Sequence, residues 1–268
     1  MSEITHATIV PGWTLGPEDI WYKEVANHLK NARGIEVTIA DMPRPDTPDP
    51  LEWTATLDSY IRPHERQLVI AHSLGFMATV NWAAERATHD SSFRLGALMS
   101  VAGNVSPVGF SEIAPHFDDR VEALKHKLTM VRDSLLYQPV GIYGIHDPFV
   151  DLSHAEIVRK YLGAQLLIDP QQGHYSGMYV NASGGPYVPE QPTFESATQY
   201  ALENLGRSDA ELRDALPDLP NPVQPYDSRI NQRSRFVEAQ WFPIAETGKV
   251  MIDVSRKYGP IPYGSATG

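Results

Sequence analysis

Nearly continuous apolar runs separated by amphipathic stretches alternate along the chain from residue 7 to about residue 205. Runs at 7–10, 35–40, 67–71, 95–101, 140–143 and 164–168 read as β-strands. Several lack the in–out alternation of a half-exposed strand, so they are expected to be buried on both faces, as in a parallel sheet. Helix starts are marked between them. Asp49-Pro50-Leu51-Glu52 sets a capping aspartate, a proline at the first helical position and a glutamate at the third. Ser153-His154-Ala155-Glu156 has the same capping logic. The alternation predicts an α/β protein with a mostly parallel sheet between helical layers.

The alternation lapses between Gly103 and Gln138. A loop with Pro107, Gly109 and Pro115 leads to an expected helix over 119–135, striped by Val121, Leu124, Leu128, Val131 and Leu135. The helix reads as a crossover covering the sheet or as part of a small cap, and loop 104–116 as a pocket wall. A main domain is expected over 1–205 and a C-terminal extension over 206–268. The extension contains a short helix from Ser208, a proline-rich linker between Pro217 and Pro225, and a strand pair at 235–242 and 249–254. Trp241, Phe242 and Ile244 make it too apolar for a disordered tail. It is expected either to cover the main domain or to bridge subunits of a homo-oligomer.

A chain of 268 residues can bury a substantial core. The net charge of −11 argues against nucleic acid or an anionic membrane as partner. With no cysteine, disulfides, thiolate catalysis and cysteine-bound zinc are excluded. Residues 1–6 lack the basic start and apolar run of a secretory signal, so a cytoplasmic location is expected. The Asn104-Val105-Ser106 and Asn181-Ala182-Ser183 glycosylation patterns then read as accidental. Gly184-Gly185 lacks the lysine and setting of a phosphate loop.

The most informative chemistry lies where the third strand ends, at Ala71-His72-Ser73-Leu74-Gly75. Strand, sharp turn and helix follow directly, with a serine at the apex and small residues two positions to either side. That is the pattern of a nucleophile elbow, which lifts a hydroxyl clear of a parallel sheet. The competing reading is an ordinary helix start with Ser73 as its cap.

A serine hydroxyl needs a base and a group to orient that base. Loops at strand carboxyl ends should carry them, in the chain order serine, acid, histidine. Strand 140–143 runs into Asp147, and strand 164–168 runs into His174. Among ten histidines, His72 is expected to pack beside the elbow and His146 to lie on the acid loop; Asp169 is a competing acid that reads as a turn residue with Pro170. The oxyanion hole is expected from the backbone N–H groups of Leu74 and Trp13, with Gly12 giving the latter's loop its freedom. Gly12, His72, His146, Phe149 and Tyr175 are candidate substrate contacts. No HExxH or regular ligand set appears, so neither a metal nor another cofactor is expected.

Val10-Pro11-Gly12-Trp13, Trp21-Tyr22, Asp41-Met42-Pro43, Glu52-Trp53, the elbow, His146-Asp147-Pro148 and Gly173-His174 occur in one order. Taken together, they resemble the small α/β-hydrolases of the YdeN and retinoblastoma-binding serine hydrolase group, over roughly residues 4 to 205. The resemblance implies an α/β-hydrolase-type three-layer sandwich and a Ser73–Asp147–His174 triad, and so a serine hydrolase acting on a carboxylic ester or related acyl substrate. The loop from Tyr175 to Pro189 and the 206–268 extension depart from that pattern. A non-catalytic binding or scaffold protein is the alternative from another class. A triad enzyme running acyl transfer, lyase or cofactor-free oxygen chemistry is the other.

Overall fold

The computed structural model describes residues 4–64, 66–144, 147, 149–169, 173–176, 179–180, 187–188 and 240–242. Six strands pair in parallel: β1 (His6–Val10), β2 (Glu36–Ile39), β3 (Gln67–His72), β4 (Ala97–Val101), β5 (Val140–Gly144) and β6 (Gln165–Asp169). Their spatial order is β2-β1-β3-β4-β5-β6. Two-residue strands β7 (Tyr179–Val180) and β8 (Tyr187–Val188) pair with each other. β9 (Gln240–Phe242), from the predicted extension, pairs antiparallel with β6. The rest of the extension, including the expected 249–254 strand and the boundary near Leu205, lies outside the described residues.

The side-chain period of two divides the core between the two faces of this sheet. On one face Ala7, Ile9, Leu68, Ile70, Met99, Ile142 and Leu167 pack with Tyr22, Val25 and Leu29 of α1 (Tyr22–Arg33). On the other, Val69, Ala71, Leu98, Tyr143 and Leu166 pack with four helices. These are α2 (Pro50–Tyr60), α3 (Leu74–His89), α4 (Val121–Ser134) and α5 (Leu152–Ile157). The architecture is thus the predicted three-layer sandwich on a mostly parallel sheet. β3, β4 and β5 are buried along their whole length, which is why they read as apolar runs. β2 is the edge strand, and its positions alternate between exposed and half-buried.

Capping chemistry sets the helix ends. The Asp49 carboxylate accepts from the Leu51 and Glu52 N–H groups at 3.0 Å, as the sequence predicts. Gly34 ends α1 in the left-handed region, at φ 65°. Two expectations shift. α5 is capped by Asp151, whose carboxylate accepts from Ser153 N–H, because an aspartate two residues upstream reaches the first turn before Ser153 can. α4 begins at Val121, which is exposed, so the buried stripe is carried by Leu128 and Val131 deeper in the helix. No described helix is long and apolar enough to cross a membrane.

Parallel register aligns the carboxyl ends of the strands. Val10 pairs with Ala71, His72 with Val101, Val101 with Ile142, and Gly144 with Asp169. Residues just beyond these ends therefore share one edge of the sheet. At Gly75 the first turn of α3 presses on the end of β1: an added Cβ would overlap the carbonyl oxygens of Pro11 and Val10. Gly75→Ala is expected to lower stability by about 1–3 kcal/mol through overpacking. Urea denaturation measures this, and an unchanged midpoint would show that α3 can move away from β1 freely.

Candidate active site

β3 delivers the chain to Ser73 with φ 50° and ψ −124°, a backbone that L-residues rarely adopt. Its N–H donates to the Val101 carbonyl at 2.9 Å, which ties the turn to β4. The hydroxyl makes no helix-cap bond. It lies 2.9 Å from Nε2 of His174 instead, so the cap reading gives way to the elbow. Ser73 is half-exposed in an otherwise buried run from Gln67 to Val80.

His174 reaches back across the sheet edge, with Nδ1 2.7 Å from Oδ2 of Asp147. The other carboxylate oxygen, Oδ1, accepts from the N–H groups of Phe149 and Val150 at 2.8 Å each. An ionised carboxylate only accepts hydrogen bonds, so Nδ1 carries the imidazole proton. Nε2 is left with its lone pair facing the serine O–H. Asp147 and His174 are both buried, and the hydrogen bond between them is shielded from water.

Two backbone segments flank Ser73, the start of α3 and the loop after β1. Leu74 opens α3, so no helical carbonyl lies one turn earlier to take its N–H. The loop after β1 passes close to Ser73: a Cβ on Gly12 would stand 3.0 Å from the serine Cβ. The Gly12 N–H is occupied, donating to the Tyr22 hydroxyl at 3.1 Å. Trp13 follows it, its indole N–H anchored on the Asp46 carbonyl at 3.1 Å.

Half-buried aromatic rings continue from this loop. Trp13 lies 5.0 Å from Phe110, Phe110 lies 6.0 Å from Phe149, and Phe149 meets the His174 ring edge-on at 5.1 Å. Phe149 thus lies beside His174. Phe110 was not singled out, although loop 104–116 was expected to form a wall. His146 lies outside the described residues.

Two predicted substrate contacts are corrected. His72 is fully buried, with Nδ1 2.7 Å from the Tyr22 hydroxyl and Nε2 2.8 Å from the His174 carbonyl oxygen. Side chains alternate along β3, so the residue next to Ser73 turns into the opposite layer. Tyr175 is also buried in that layer, near Trp21, whose indole N–H donates to the Tyr175 carbonyl at 2.8 Å. Its φ of 55° turns the chain inward straight after His174. His154 was missed altogether; its Nδ1 accepts from Val105 N–H at 2.9 Å and steadies the loop after β4.

Burial also sets charge states. It drives the His72 imidazole down to about 3, with the neighbouring His174 adding to the effect. Burial lowers His116, beside Trp53, to about 4. It raises the Tyr22 phenol, which stays protonated.

The sequence profile of the serine hydrolase family matches residues 7–182. The chain belongs to this family. No curated protein matches it by sequence. Among solved structures, the ydeN gene product of B. subtilis superposes with a TM-score of 0.58 at 20% identity, covering 74% of this chain and 99% of that one. Est1E from Butyrivibrio proteoclasticus gives 0.52 at 12% identity, covering 75% and 86%. At these identities the likeness is one of fold, and it agrees with the α/β-hydrolase architecture.

Acid should destabilise this serine hydrolase in a defined window. His72 and His116 stay neutral in the fold while the same side chains in the unfolded chain protonate near 6.5. The unfolded state then binds more protons, so stability falls as the pH drops from about 6.5 towards 4, by up to about 1.4 kcal/mol per pH unit for each histidine. His116→Phe is expected to flatten this slope by about one proton in unfolding titrations between pH 7 and 5. Parallel curves for the two proteins would contradict the assignment.

Proposed function

We propose that the protein hydrolyses carboxylic esters, or related thioesters and amides, of a small apolar acyl substrate by way of an acyl-Ser73 intermediate. The observation that carries this reading is the continuous Ser73–His174–Asp147 arrangement, with heavy-atom separations of 2.9 and 2.7 Å. Ser73 Oγ attacks the carbonyl carbon as His174 Nε2 takes its proton. The negative charge developing on the carbonyl oxygen is met by the N–H groups of Leu74 and Trp13, each worth about 3 kcal/mol to the transition state. Asp147 holds the imidazole in the required tautomer and balances its positive charge. His174 then protonates the leaving alcohol, the carbon–oxygen bond breaks, and water repeats the sequence on the acyl-enzyme.

The substrate class follows from the surroundings of the serine. Trp13, Phe110 and Phe149 form an apolar arc beside Ser73 and His174 and offer no charge to bind a polar acyl chain. Non-directional burial against such rings favours a hydrocarbon or aryl portion of the substrate.

Turnover of p-nitrophenyl esters tests the chemistry. Ser73→Ala, His174→Ala and Asp147→Asn should each lower kcat by about 10⁴-fold or more with an unchanged circular dichroism spectrum. Turnover that survives Ser73→Ala would contradict the proposal. Phe110→Ala should raise KM for a hexanoyl ester by roughly 3–10-fold, with a smaller change for the acetyl ester, since only the longer chain reaches the ring. Equal effects on both esters would remove Phe110 from the acyl site.

A further inference from the structure

Behind the elbow runs a buried hydrogen-bond chain that the proposed acyl chemistry does not itself use. The Gly12 N–H donates to the Tyr22 hydroxyl at 3.1 Å, and that hydroxyl lies 2.7 Å from Nδ1 of His72. Nε2 of His72 lies 2.8 Å from the His174 carbonyl oxygen. Its direction is fixed by its two ends. A backbone N–H only donates and a carbonyl oxygen only accepts. Nε2 of His72 must therefore carry the ring proton, Nδ1 must accept, and Tyr22 must donate to it. Gly12 to Tyr22 to His72 to His174 forms one unbroken donor-to-acceptor series.

The series spans the site. It begins next to Trp13, passes through the side chain of the residue preceding Ser73, and ends on the main chain of the base. Trp21 adds a parallel tie through its 2.8 Å bond to the Tyr175 carbonyl. We propose that His72 and Tyr22 are positioning residues that hold the main chain of His174 and the Gly12–Trp13 loop in register on either side of Ser73, a role that rests on the hydrolase reading of the site. Neither touches the reacting atoms. They act on where the base and the oxyanion donor stand, and a misplacement of about 1 Å in such groups costs about 10²-fold in rate. His72 suits the task because burial keeps it neutral. A charged ring would have to turn a second N–H towards the Tyr22 oxygen, which already receives the Gly12 N–H.

Amide side chains separate the two halves of the series. Glutamine can place an N–H near the position of Nε2 and keep the bond to the His174 carbonyl. Phenylalanine keeps the ring volume and loses both bonds. Tyr22→Phe removes a single oxygen and tests the same chain should His72→Phe fail to fold. With p-nitrophenyl butyrate, His72→Phe and Tyr22→Phe are expected to lower kcat by about 10–100-fold, with KM within about 2-fold of wild type. His72→Gln should recover most of the loss suffered by His72→Phe. Proton NMR reads the same geometry without turnover. The low-field Nδ1 proton shared by His174 and Asp147 should persist in wild type and His72→Gln and vanish by exchange in His72→Phe. A wild-type protein without esterase activity whose NMR signals follow this pattern would sink the hydrolase reading and leave the positioning intact. Full kcat with an undisturbed low-field signal in His72→Phe or Tyr22→Phe would overturn the proposal, and so would a His72→Gln variant no better than His72→Phe.

Discussion

A left-handed backbone at Ser73, between the last residue of β3 and the first of α3, is the constraint on which the site depends. A non-glycine residue held there costs about 1–3 kcal/mol, so its surroundings must over-determine it. β3 is buried throughout, α3 buries most of its first three turns, and the Ser73 N–H is bonded to β4. Gly75 allows the helix to start directly against β1. Because the turn is this sharp, the hydroxyl stands free of both elements and points along the sheet edge, where the loops after β5 and β6 bring Asp147 and His174 to it. A relaxed helix start at the same position would fold Ser73 Oγ back onto its own helix and leave the two loops with nothing to act on.

The second requirement is a polar network that stays paired although most of it is buried. Asp147 has both carboxylate oxygens in hydrogen bonds, and both nitrogens of His72 and of His174 face partners. Buried hydrogen bonds strengthen in low dielectric, and an unpaired member becomes correspondingly costly. His72 and Asp147 both reach His174, one at its main-chain carbonyl and the other at its ring.

Most of the sheet could be read from the chain because parallel strands buried on both faces leave unbroken apolar runs such as Leu68-Val69-Ile70-Ala71. The elbow was legible because it is a local pattern. Asp147 and His174 could be found because each follows a recognisable strand in a fixed order. His72 and Tyr175 were misplaced for one reason: sequence proximity to a reactive group does not say which face of the sheet a side chain takes. His72 lies one position before Ser73 and turns the other way, while Tyr175 is turned inward by its positive φ. The Tyr22–His72 and His72–His174 bonds join residues 50 and 102 positions apart, and no local spacing announces them. Phe110 was hidden for a related reason. A lone aromatic in an irregular loop has no period, and its neighbours Trp13 and Phe149 come from other strands' loops.

Covalent labelling tests most directly whether Ser73 is an activated nucleophile. Incubation with a fluorophosphonate at neutral pH, followed by peptide mass mapping, should place one adduct on the peptide containing Ser73 and on no other serine. It should also show no adduct in His174→Ala, because an unassisted hydroxyl does not react at that pH. An unlabelled wild-type protein, or an adduct that forms equally well without His174, would contradict the account.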